Sequence, residues 1–248
     1  MPYVELNGIA SYYEQHGSGE PLLLLHGGHC SIETWQSQID ALAPHYRVHA
    51  PERPGQGRTP DRPGPITFQA MVDDTVAYLD AMQVDSAHVV GFSDGAITGL
   101  LLALQHPTRL RSLVSISANL SPAAFPDEDE SADPAEDATP PPEPDPEDEA
   151  YARLSPDGPD HAKVVLERLY AMWMSEPQID PASLATVSTP TLVLAGDGDS
   201  IPTVHSVEIA RALPHAQLCI VPGAGHMVIR EKPAQVNRAI LDFLDALA

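Results

Sequence analysis

Basic residues are scarce. Thirteen Lys and Arg stand against 35 Asp and Glu in 248 residues, a formal net charge of −22. Nucleic-acid phosphates need Lys and Arg, so that partner class is set aside, and an anionic membrane surface with it. Cysteine occurs only twice, at Cys30 and Cys219. Two thiols make no disulfide framework and no zinc-ligand spacing, so reduced, mostly buried thiols and no metal are expected. No apolar run approaches the roughly 18 to 20 residues that cross a bilayer. The N-terminal Met-Pro-Tyr-Val-Glu-Leu-Asn-Gly has neither the basic stretch nor the apolar stretch of a secretory signal, and a cytoplasmic protein is expected. No internal repeat is present.

What is there is a globular composition, 43% hydrophobic, long enough for one α/β domain and a small second lobe. The charge is uneven. Residues 127–149 hold twelve Asp or Glu and no Lys or Arg. The stretch from 126 to 149 is rich in Asp, Glu, Pro and Ala and lacks any apolar period. It cannot bury enough surface to offset its ordering entropy, so a mobile acidic loop is expected there.

On either side, short apolar runs alternate with helical patterns. Leu22–Leu25, Val48–Ala50, His88–Val90, Leu113–Ser117, Thr191–Ala195 and Leu218–Val221 read as strands. Between them, Phe68, Met71, Val72, Val76, Leu79 and Met82 share one helical face behind Thr67, a candidate N-cap. Ala96–Gln105, Val204–Leu213 and a last helix from Pro233, with Val236, Ile240, Phe243, Leu244 and Leu247 as its stripe, continue the pattern. Alternation of this kind implies parallel strands with right-handed crossovers. The expected fold is α/β: a mostly parallel, doubly wound sheet with helices on both faces. Its core would be residues 1–120 and 188–248. Residues 121–187 would form a small cap, with a helix carrying Val164, Val165, Leu169, Met172 and Trp173 on one face.

The chemistry centres on Gly91-Phe92-Ser93-Asp94-Gly95, a G-x-S-x-G pattern between a strand and a helix. The glycines allow a strained turn that lifts the Ser93 hydroxyl clear of the sheet edge, and the following helix aims N–H groups at it. A serine hydroxyl needs a base. His226 lies in the Gly-rich loop after the last strand, at the same edge. An acid should follow another strand, between Ser and His in the chain. Asp197 and Asp199 both qualify, and the acid's task is to orient the imidazole. Donors for an oxyanion would be the backbone N–H of Asp94 and that of Gly28, in the loop after Leu22–Leu25.

At these residues the chain resembles the α/β-hydrolase superfamily over nearly its whole length. The resemblance rests on His26-Gly27-Gly28, Arg53-Pro54-Gly55-Gln56-Gly57-Arg58, the Ser93 elbow, Gly196–Pro202 as G-x-x-D-x-x-P, and Gly223-Ala224-Gly225-His226. It implies that the acid is Asp199. It also implies hydrolysis of a small-molecule carboxylic ester through an acyl-enzyme, with no cofactor. Lactone, C–C bond, proline iminopeptidase-like and cofactor-free perhydrolase chemistries use the same triad and stay open. So does a small-molecule receptor on this fold. Haloalkane dehalogenase and epoxide hydrolase chemistries need Asp at position 93. The elbow is similar to that of the valacyclovir hydrolase (biphenyl hydrolase-like) branch, which has Trp where this chain has Phe92 and Gly where it has Ala96. In that branch the Asp after the nucleophile receives the α-amino group of amino-acid esters. Asp94 holds that position, and it also suits a helix N-terminus. His29 and Trp173 are further candidates for substrate contact.

Overall fold

The computed structural model describes residues 2–125 and 145–247. Its centre is an eight-stranded sheet: β1 (Tyr3–Leu6), β2 (Ile9–His16), β3 (Pro21–Leu25), β4 (Arg47–Pro51), β5 (Ala87–Phe92), β6 (Leu110–Ile116), β7 (Thr191–Gly196) and β8 (Ala216–Val221). The order across the sheet is β1-β2-β4-β3-β5-β6-β7-β8. From β4 to β8 every pairing is parallel, whereas β2 runs antiparallel to β1 and to β4.

The four leucines of β3 show why the sheet is wound on both faces. Leu22 and Leu24 enter one apolar cluster with Trp35, Ile39, Val236 and Ile240. Leu23 and Leu25 enter another with Phe68, Met71, Leu100 and Ile209. Alternate residues of a strand point to opposite faces, so a run of four apolar residues requires helices on both. Helices α1 (Gln36–Leu42) and α8 (Pro233–Asp245), with the short α7 (Val228–Glu231), cover the first face. Helices α2 (Phe68–Ala81), α3 (Asp94–Gln105) and α6 (Thr203–Ala212) cover the second. Thr67 caps α2 by accepting from Ala70 N–H at 3.1 Å. Both cysteines are free thiols, Cys30 buried and Cys219 half-buried.

Three features depart from the sequence reading. A two-residue hairpin at Asn7-Gly8 joins β1 to β2, with Leu6 opposite Ile9. Asn7 and Gly8 both take positive φ, 50° and 86°, the geometry that Asn-Gly favours in hairpins. That dipeptide was a legible signal. The acidic stretch does not run as a loop to residue 149. Helix α4 (Pro146–Leu154) begins within it, capped by Asp145, whose carboxylate accepts from Glu147 N–H at 2.8 Å. Asp145 at the cap, Pro146 in the first turn and three acids behind it are a helix start, which the composition of the stretch masked. The rest of the expected loop, 126–144, lies outside the described residues. Helix α5 (Ala162–Trp173) buries Val165, Leu169 and Met172, spaced four and three apart, while Val164 is 43% exposed and Leu247 lies past the end of α8. Among the described residues no helix is long and apolar enough to cross a membrane.

Candidate active site

Every parallel strand ends at one edge of the sheet, and the site is assembled there. Ser93 joins β5 to α3 with φ 52° and ψ −118°, a left-handed conformation that a serine rarely holds. Its N–H donates to Ile116 O at the end of β6 (2.9 Å), and its carbonyl accepts from Ala96 and Ile97 N–H. The turn can be this tight because Gly91 and Gly95 lack side chains: a Cβ on Gly91 would strike Gly95 O, and one on Gly95 would strike Leu25 O.

The loop after β8 brings His226 to the serine. Its Nε2 lies 3.1 Å from Ser93 Oγ. Its Nδ1 lies 2.8 Å from Asp199 Oδ1, in the loop after β7. The two aspartates left open by the spacing have separate tasks. Asp197 Oδ1 accepts from Gly223 N–H (2.7 Å) and Ala224 N–H (3.3 Å), tying the β7 loop to the β8 loop. Asp199 is the one that meets the imidazole. Its side chain is fully buried. Burial pushes its carboxyl up, but hydrogen bonds and charge from His226, the Ser117 hydroxyl and Ile201 N–H outweigh burial and hold it below the usual carboxylate range.

Gly28 and Asp94 sit together beside Ser93 on the wall of one cavity. As the first residue of α3, Asp94 has an N–H with no carbonyl partner inside the helix, and the helix dipole adds to it. Gly28 is held close: a Cβ there would meet Trp173 and Asp94 Oδ2. The His26 ring braces this loop. Its Nδ1–H donates to Gly27 O (2.8 Å) and its Nε2 accepts from Arg53 N–H (3.2 Å), which joins the loops after β3 and β4. Burial and the nearby Arg53 charge push His26 down to about 3, so it is a neutral strut.

The substrate-contact candidates divide. Asp94 is buried, and its Oδ1 accepts from Trp173 Nε1–H at 2.9 Å. Its Oδ2 has no hydrogen-bond partner among the described residues. Burial pushes this carboxyl up, opposed by the Arg53 charge, the Trp173 bond and His226. Asp94 and Trp173 line a cavity of about 280 Å³ with Phe68, Ile97, Pro177 and Ile201. His29 is placed elsewhere, under α4. Its Nε2 meets Asp148 Oδ1 at 2.8 Å and its ring stacks on Tyr151, centroids 5.3 Å apart. It lines a wider mouth of about 760 Å³. Ser93, His226 and Trp173 border both spaces, so the indole is a partition between them. Sequence reasoning missed Ser117 and the buried Arg53 behind Asp94. Arg53 stood in a recognised motif, but nothing in the pattern told that its guanidinium would be buried. Among the described residues no grouping of His, Cys, Asp and Glu could hold a metal ion.

Residues 22–239 match the model of the alpha/beta hydrolase family. A protein of Caulobacter sp. (strain K31) named putative carbamate hydrolase RutD is 32% identical, over 96% of this chain and 96% of its own. Its namesake from Azorhizobium caulinodans is 39% identical over 117 residues, which is 47% of this chain and 44% of that one. Among solved structures, a serine hydrolase involved in carbazole degradation superposes with a TM-score of 0.78 at 24% identity, covering 98% of both chains. The enol-lactonase from Burkholderia xenovorans LB400 superposes at 0.75 with 18% identity, over 98% of this chain and all of that one.

Proposed function

The chain belongs to the alpha/beta hydrolase family, and on that premise we propose that it is a serine hydrolase that cleaves a small carboxylic ester through an acyl-enzyme. One observation carries the proposal: Ser93 Oγ, His226 Nε2, His226 Nδ1 and Asp199 Oδ1 follow one another at 3.1 and 2.8 Å across the ring. Both links lie within the range for proton transfer and orientation.

In this reading His226 removes the Ser93 proton as Oγ attacks the carbonyl carbon. The Gly28 and Asp94 N–H groups receive the negative charge that develops on the carbonyl oxygen. Collapse of the intermediate expels the alkoxide, which takes its proton from His226 Nε2. Water, deprotonated by the same imidazole, then attacks the acyl group and frees Ser93. Asp199 stays ionised and steadies the imidazolium in both halves. The cavity walled by Phe68, Ile97 and Ile201 takes an apolar part of the substrate, and the mouth under α4 takes the rest. Asp94 lines the first space, and its Oδ2 is buried with no hydrogen-bond partner among the described residues. An α-amino group on the acyl part would meet it there, as the elbow's resemblance suggests.

Ser93→Ala removes the nucleophile and nothing else. It is expected to abolish turnover of p-nitrophenyl acetate and butyrate while circular dichroism and melting temperature stay as in the wild type. Turnover surviving in that variant sinks the mechanism. A second reading, carbamate hydrolysis, is favoured by relatives bearing that name at 29–32% identity over nearly the whole chain. A panel of p-nitrophenyl esters, with and without an α-amino group, beside matched carbamates decides between them. A carbamoyl group on Ser93 is less electrophilic than an acyl group. An ester hydrolase would therefore release one burst of nitrophenol from the carbamates and then stall, whereas a carbamate hydrolase would turn over steadily.

A further inference from the structure

Ser117 is the first residue after β6, between the strand that delivers the nucleophile and the strand that delivers the acid. Its N–H donates to Leu194 O of β7 at 2.8 Å, and the carbonyl just before it, Ile116 O, accepts Ser93 N–H at 2.9 Å. Ser117 is buried and holds φ at 57°. A non-glycine residue there is under backbone strain and persists only where its surroundings impose it. Glycine would relieve that strain but has no hydroxyl.

The hydroxyl has one visible task. Ser117 Oγ–H donates to Asp199 Oδ2 at 2.6 Å, the short range of a hydrogen bond to an ionised oxygen. The other carboxylate oxygen, Oδ1, is shared by His226, Ile201 N–H and, at 3.4 Å, the Ser200 hydroxyl. Ser117 is thus the partner that Oδ2 has among the described residues, on a side chain sealed from water. Without it the carboxylate would have a bare buried oxygen and could turn away from the imidazole.

We infer that Ser117 is a positioning residue for the reaction, its hydroxyl fixing the rotation and charge of Asp199 so that Oδ1 stays aimed at His226. The inference rests on the triad proposed above. It links the three loops through one strand end: Ile116, the last residue of β6, holds the nucleophile's backbone, and Ser117, the next residue, holds the acid's side chain.

The test uses Ser117→Ala and Ser117→Gly in the full chain, with p-nitrophenyl butyrate and Ser93→Ala as blank. Both variants lose the hydroxyl, but only glycine is free of the φ penalty, so glycine carries the test if alanine fails to fold. Both are expected to lose roughly tenfold or more in kcat with little change in KM. Wild-type kcat in either variant, or recovery in glycine alone, would overturn the inference. Activity in Ser93→Ala would instead fail the triad itself, whereas a dead Ser93→Ala beside an indifferent Ser117→Gly fails only the role of Ser117.

Discussion

At the scale of single residues, the site depends on side chains that are absent. Gly95 lies where a Cβ would enter the carbonyl of Leu25, Gly91 where one would enter Gly95 O, and Gly196 where one would enter Ala224 O. Each contact is backbone on backbone, so no rotamer can relieve it. Each also joins two loops of the site: β3 to the elbow, the elbow to its own helix, β7 to the β8 loop. Gly95→Ala is therefore expected to lower stability by about 1–3 kcal/mol, as overpacking does. It is also expected to lower kcat by misplacing Ser93 against His226. Urea denaturation and steady-state kinetics on the same sample check both. A fully stable, fully active Gly95→Ala would show that the elbow can open at no cost.

At the scale of elements, α4 covers the mouth through ion pairs more than through apolar burial, since Tyr151 is its one buried residue. Glu147 meets Arg230 at 2.8 Å, two residues past Val228 where α7 begins. The Asp148 carboxylate adds a hydrogen bond to the His29 ring at 2.8 Å. Arg153 meets Glu33, which also holds Arg58. Arg58 in turn holds the buried Glu52 at 2.7 Å. A helix fastened by charge responds to salt. Arg230→Gln leaves the half-buried Glu147 unpaired and is expected to weaken docking by about 1 kcal/mol. The measurement is hydrogen exchange over residues 146–154, faster in the variant than in the wild type. High salt should bring the wild type toward the variant. Equal exchange in the two proteins would show that the pair contributes nothing to holding the helix.

At the scale of the whole molecule, two buried histidines tie stability to pH. Burial and Arg53 push His26 down to about 3, and burial with Arg47 pushes His49 down to about 4. Their unfolded value is about 6.5. Below that pH the unfolded chain binds protons that the folded chain refuses. Stability from each group is therefore complete above about 6.5 and is lost as pH falls toward the folded value. Each contributes up to about 1.4 kcal/mol per pH unit in that window. The net charge of −22 works in the opposite sense, because acid relieves self-repulsion. A difference measurement separates the two. In His49→Leu, the slope of unfolding free energy against pH between 6.5 and 4 is expected to fall by up to about 1.4 kcal/mol per unit relative to the wild type. Identical slopes would mean that His49 titrates alike in both states.

The sequence by itself determined the parallel sheet, its two-faced burial and the strand ends that carry Ser93, His226 and the Asp197–Asp199 pair. These follow from local pattern: four apolar residues in a row need two covering layers, and parallel strands put all their C-terminal loops at one edge. The Asn7-Gly8 hairpin and the helix start at Asp145 were equally local, and were hidden only by a polar or acidic composition around them. Tertiary structure alone decided what depends on side-chain direction across long separations. Asp197 and Asp199 sit on one loop with the same residue type, and only the packing of β8 against β7 turns one toward backbone amides and the other toward an imidazole. The same holds for His29, which turned to α4, for Trp173, which turned to Asp94, and for Ser117. A chain records which residues lie at a strand end; where each side chain points is set by the neighbours that folding brings against it.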